Sequence, residues 1–118
     1  MEFFTLENRN GIQLKLTNYG GIVSELLVPD MNGKRNDILL GFDTIEEYQA
    51  HNDGFFGALI GRFGNRIANG RFYLEGITYD GLAKNDQANH LHGGSKGFDK
   101  VEWNGTGPCD LPDDRGAP

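Results

Sequence analysis

A chain of 118 residues with a formal net charge of −6 has room for one small domain. Its 37% hydrophobic content and 18 glycines point to many turns around a modest core. Scattered basic residues exclude a nucleic-acid stripe, and the lack of an apolar run of ~18 residues excludes a membrane-spanning helix.

The chain opens MEFFTLENRNG, which carries acids and no basic n-region, so it is not read as a secretory signal. Ile12, Leu14 and Leu16 then alternate with Gln13, Lys15 and Thr17, the period of a strand. Residues 21–28 repeat it, with Ile22, Leu26 and Val28 on one face and Glu25 on the other. Pro29-Asp30-Met31-Asn32-Gly33-Lys34 has turn chemistry, which predicts a hairpin with a return strand over 37–41. Thr44-Ile45-Glu46-Glu47 matches a capping box and predicts one short helix over 45–50.

Residues 55–70 place Gly57, Gly61, Gly64 and Gly70 around Ala58, Leu59, Ile60 and Ile67. Such small residues let a second backbone or a ligand come close. Residues 71–75 and 77–80, split by Gly76, predict a second hairpin, and 82–89 form a polar loop. From Gly105 the chain reads GTGPCDLPDDRGAP, with three of the four prolines and no strand alternation. Disorder is expected there. The lone Cys109 allows no internal disulfide and fits a cytoplasmic protein, in which the sequon Asn104-Gly105-Thr106 stays unused.

Most chemical signatures are missing. His90 and His92 would share a face on a strand, but no third ligand follows at metal-site spacing. Gly33-Lys34 has no P-loop context, the central glycines do not spell GxGxxG, and neither Ser24 nor Ser95 lies in a GxSxG elbow. Cys109 has no histidine at a meaningful spacing. Asn65, Arg66 and His92 remain, with planar donors suited to a hydroxyl-rich ligand. Phe63, Phe72, Phe98 and Trp103 could face the apolar side of a sugar ring. Taken singly, each of these residues is more often structural. Together they describe a polar small-molecule site on a β scaffold.

Three blocks go further. Asn18-Tyr19-Gly20-Gly21-Ile22 leads to Val28-Pro29-Asp30 and Leu39-Leu40-Gly41-Phe42. Phe56-Gly57-Ala58-Leu59-Ile60-Gly61-Arg62 runs into Asn65-Arg66-Ile67-Ala68-Asn69-Gly70. Leu91-His92-Gly93-Gly94 precedes Gly97-Phe98-Asp99-Lys100 and Trp103. In this order and spacing they resemble the aldose 1-epimerase (galactose mutarotase) family. The resemblance implies an all-β fold, the N-terminal part of a large antiparallel β-sandwich with a concave sugar-binding face. It implies interconversion of the α and β anomers of hexoses such as galactose and glucose by acid–base ring opening, with no cofactor and no metal. Asn65, Arg66 and His92 match substrate-binding positions.

The family's proton-donor histidine, a sugar-binding aspartate and its catalytic glutamate match nothing up to residue 104. Residues 1–104 are therefore expected to be the N-terminal portion of such a domain and 105–118 a tail outside the family. The chain is expected to be an incomplete and inactive fragment whose partner is a small aldose, with no nucleic acid and no membrane. Two other outcomes stay open. One is a non-catalytic carbohydrate-binding domain on the same scaffold. The other is a hexose-6-phosphate epimerase relative, for which only Arg62 and Arg71 could meet the phosphate.

Overall fold

A computed structural model describes residues 1–105. Four strands form an antiparallel meander in chain order: β1 (Phe3–Glu7), β2 (Gln13–Thr17), β3 (Val23–Pro29) and β4 (Arg35–Asp37). The α-helix among the described residues, α1 (Ile45–His51), follows. Then come β5 (Arg66–Ile67), the hairpin of β6 (Phe72–Leu74) and β7 (Ile77–Tyr79), and β8 (His90–Leu91), which pairs antiparallel with β5. Short 3₁₀ turns span Ala68–Gly70 and Phe98–Lys100.

The period-two pattern sets the register of the meander. Leu6 faces Leu14, and Leu14 faces Leu26, so one face carries a leucine row across three strands. The other face pairs Lys15 with Glu25. The register slips between Lys15 and Leu16, where Leu16 meets Val23.

The β3–β4 hairpin forms where the turn chemistry placed it. Asp30 Oδ1 accepts from the Asn32 and Lys34 amides at 2.8 and 2.9 Å, and Gly33 sits at φ 80°. The return strand, however, is Arg35–Asp37 and not 37–41. The Ile38 amide still donates to Leu26 O, but Asp37 Oδ1 takes the amides of Leu26 and Leu39, so a side chain replaces the return bond of the ladder and the strand stops. β1 had no counterpart in the sequence reading.

Helix α1 starts as expected. Thr44 Oγ1 accepts from the Glu47 amide at 3.2 Å, and Glu47 Oε2 accepts from the Thr44 amide at 3.1 Å. Ile45 and Tyr48 are its buried residues, and with Ile22 they are the buried apolar side chains among the described residues. The second hairpin turns at Glu75 and Gly76, both at positive φ.

Two straps tie the site-bearing loops to the meander. The Val23 amide donates to Gly57 O and the Leu59 amide to Gly20 O, which lays 57–59 against the start of β3. A Cβ on Gly57 would overlap the Val23 carbonyl oxygen, so a second backbone does come close there, whereas Gly64 makes only ordinary contact. The Gly20 amide donates to Val101 O and the Trp103 amide to Asn18 O, which lays 101–103 along the β2–β3 turn. The expectation of a disordered tail beyond Gly105 lies outside the described residues.

Candidate functional site

Pairing of β5 with β8 sets Arg66 opposite Leu91 and Ile67 opposite His90. One residue before β5 and one after β8, two left-handed residues meet: Asn65 at φ 68° and His92 at φ 53°. The Asn65 amide donates to His92 Nδ1 at 2.9 Å, and the His92 amide donates to Asn65 O at 3.1 Å. Asn65, Arg66 and His92 are thus brought to one spot. Asn65 and Arg66 are exposed and His92 is half-buried, so the spot is open to solvent.

These partners assign the tautomers. Because His92 Nδ1 accepts a hydrogen bond, the neutral ring carries its proton on Nε2 and can donate there. His90 is the opposite case. Its Nδ1 lies 2.9 Å from Ala83 O, and a carbonyl only accepts, so Nδ1 carries the proton. His90 is also buried. The strand ends at Leu91, Gly93 and Gly94 follow at φ 95° and 87°, and the two imidazoles do not share a strand face as chelation by the pair would need. A Cβ on Gly93 would overlap the Gly61 carbonyl oxygen, so the turn after His92 requires glycine. No group of three His, Cys, Asp or Glu side chains gathers among the described residues.

Three contributors escaped sequence reasoning. Asp86 Oδ2 accepts from Arg66 Nε at 2.6 Å, which aims the guanidinium, and Arg66 Nη1 donates to Asn65 Oδ1 at 3.5 Å. Asn85 clamps β8: its Nδ2 donates to Leu91 O and its Oδ1 accepts from the Leu91 amide, both at 2.9 Å. Phe55 packs edge-on to His92 with ring centroids 4.8 Å apart. The dense run Asn85-Asp86-Gln87-Ala88-Asn89 just before the histidines was the available signal for the first two.

Of the aromatic candidates, Phe63 and Phe72 line a recess of about 740 Å³ together with Arg62, Arg66, Ile67 and His90. Phe72 is stacked on Tyr79 at 4.9 Å. Phe98 and Trp103 instead pack edge-to-face on each other at 5.2 Å, and Trp103 Nε1 donates to Phe98 O. They brace the 97–103 strap and do not line this recess.

A family model for aldose 1-epimerase matches residues 2–115. The chain belongs to the aldose 1-epimerase family. Galactose mutarotase of Bos taurus is 43% identical over 103 residues, which is 87% of this chain and 29% of that protein. Aldose 1-epimerase of Escherichia coli (strain K12) is 39% identical over 99 residues, 84% of this chain and 28% of that protein. The solved GalM/aldose epimerase homologue from C. elegans superposes with a TM-score of 0.79 at 34% identity, over 87% of this chain and 31% of that one. Galactose 1-epimerase from Lactobacillus acidophilus NCFM gives 0.72 at 31% identity, over 91% and 30%. The antiparallel, mostly β architecture is therefore that of the aldose epimerases, and the chain spans less than a third of the length of these relatives. No helix among the described residues is long and apolar enough to cross a membrane.

Proposed function

We propose that the cluster of Asn65, Arg66 and His92 holds the hydroxyls of a hexose for anomer interconversion, and that these 118 residues supply the sugar-holding part of that site. The observation that carries this is the reciprocal Asn65–His92 lock with Arg66 alongside, in a chain of the aldose 1-epimerase family. His92 Nε2–H is a fixed donor to a sugar oxygen, and the Arg66 terminal nitrogens are charged donors beside it. The single Cys109 fits action in the cytoplasm.

The chemistry is acid–base ring opening. A base takes the proton of the anomeric hydroxyl, the bond from C1 to the ring oxygen breaks, and an acid protonates the ring oxygen. The open aldehyde rotates about C1–C2 and recloses on its other face, returning both protons. Each proton-transfer group contributes on the order of 10²–10⁴ in rate. His92 is suited to holding the sugar and not to shuttling, because its Nδ1 is engaged by a backbone amide. Asp86 is engaged by Arg66 and does not serve as a free base. These residues alone are therefore expected to bind an aldose and not to interconvert its anomers.

Polarimetry on freshly dissolved α-galactose tests this. The expected rate equals the buffer blank. A rate well above the blank that His92→Ala removes would place proton transfer within these 118 residues and overturn the division of labour.

A further inference from the structure

We propose that Phe55, backed by the Asp99–Lys100 pair, is the positioning residue that holds the His92 imidazole in its donor orientation. The inference rests on the sugar-holding role of His92 and adds the groups that aim it. Phe55 sits at φ 57°, a left-handed conformation that a bulky aromatic residue rarely adopts. Its ring faces His92, itself left-handed, at a centroid distance of 4.8 Å and an interplanar angle of 67°. Two strained residues packed on each other mark a place where the surrounding structure dictates the geometry.

That surrounding structure is visible. The ammonium of Lys100 lies 5.3 Å from the centroid of the same Phe55 ring, within reach of its negative face. Lys100 Nζ is held in turn by Asp99 Oδ2 at 2.7 Å. Asp99 is only 6% exposed, although its chain neighbour Lys100 is exposed. Its position is fixed by packing: a Cβ on Gly97 would crowd Asp99 Oδ1, and one on Gly20 would overlap the Asp99 carbonyl oxygen. A buried carboxylate thus holds a cation, the cation holds a ring, and the ring packs on the imidazole that Asn65 locks by its hydrogen bond. A hydrogen bond at Nδ1 alone fixes one ring atom and leaves the ring free to rock about it. The Phe55 contact removes that freedom.

The test uses the 118-residue protein and reads both nitrogens of His92 by ¹⁵N–¹H correlation NMR, alongside a galactose titration. In the wild type the Nδ1 signal is that of an acceptor and the Nε2 signal that of an N–H. Phe55→Leu keeps apolar bulk and is expected to move both signals toward the averaged positions of a free imidazole. It is also expected to weaken galactose binding by up to about tenfold, the scale of one lost hydrogen bond. Lys100→Met, which removes the cation and keeps most of the exposed stem, is expected to shift the signals the same way by less in the folded protein, with Lys100→Arg restoring them. Unchanged His92 signals in Lys100→Met and in folded Phe55→Leu would overturn the proposal. His92 signals that respond in a protein that does not bind galactose would sink the sugar-holding role and leave the positioning role standing.

Discussion

The Arg66–Asp86 pair offers the most direct quantitative test. Arg66 is 55% exposed and Asp86 25%, with 2.6 Å between Nε and Oδ2. An ion pair this open to water contributes ~0–1 kcal/mol, so Asp86→Asn, which keeps an acceptor and loses the charge, should weaken galactose binding at most about fivefold. Arg66→Ala removes the donors themselves. Hydrogen bonds to a charged group are worth ~1.5–3 kcal/mol, and water competes at an exposed site, so the low end applies and the loss should be about tenfold. If Asp86 acts only by aiming Arg66, Asp86→Asn adds nothing once Arg66 is alanine. Galactose titrations of the two single variants and the double variant, followed by NMR, give the cycle. An undiminished Asp86→Asn effect in the Arg66→Ala background would mean that Asp86 meets the sugar itself, and unchanged binding by Arg66→Ala would remove Arg66 from the site.

Three further substitutions probe the frame. Gly93→Ala should destabilise the protein by ~1–3 kcal/mol or more and disrupt the His92 amide bond, because φ is 95° and the Gly61 carbonyl fills the space; urea unfolding and amide exchange at His92 report it. Thr44→Ala should cost about 1 kcal/mol in urea unfolding through loss of the capping box, with no change in galactose binding. Ile22→Ala, at a residue 1% exposed, should cost ~2–5 kcal/mol in the same assay, since the buried apolar set it belongs to is so small.

What was legible in the sequence was what is encoded locally. The α1 start is a four-residue signal and forms as read, and so do both hairpin turns, whose Asn32-Gly33 and Glu75-Gly76 steps carry their own conformations. The end of β4 was misplaced because it depends on where the Asp37 carboxylate points, which alternation does not encode. β1 was missed because its strand character comes from pairing with β2. Asn65, Arg66 and His92 were singled out through their motifs, and the fold brings them together. The lock between Asn65 and His92 spans 27 residues, and no spacing rule connects such positions. The same holds for Phe55, whose ring packs on a ring far along the chain.

The site's geometry and its affinity have different physical origins, and they need not rise together. The backbones of Asn65, Leu91 and His92 are tied by backbone and amide hydrogen bonds, and Phe55 packs on the His92 ring. The apolar surface is another matter: Leu6, Ile38, Leu40, Tyr73, Leu74 and Ile77 are all more than half exposed. Exposed apolar area of this extent marks packing surface left uncovered in these 118 residues. With no such cover over the cluster, each donor reaching a sugar hydroxyl trades against bulk water, and the net gain per hydrogen bond falls to ~0.5–1.5 kcal/mol. Three or four such bonds total at most ~6 kcal/mol before the cost of association, so the Kd is no tighter than about 1 mM, the equivalent of about −4 kcal/mol. Titration of galactose into the 118-residue protein should find that weak, specific binding, abolished by combining Arg66→Ala with His92→Ala. Micromolar binding would contradict it, since that affinity needs an enclosure that the exposure of Asn65 and Arg66 denies.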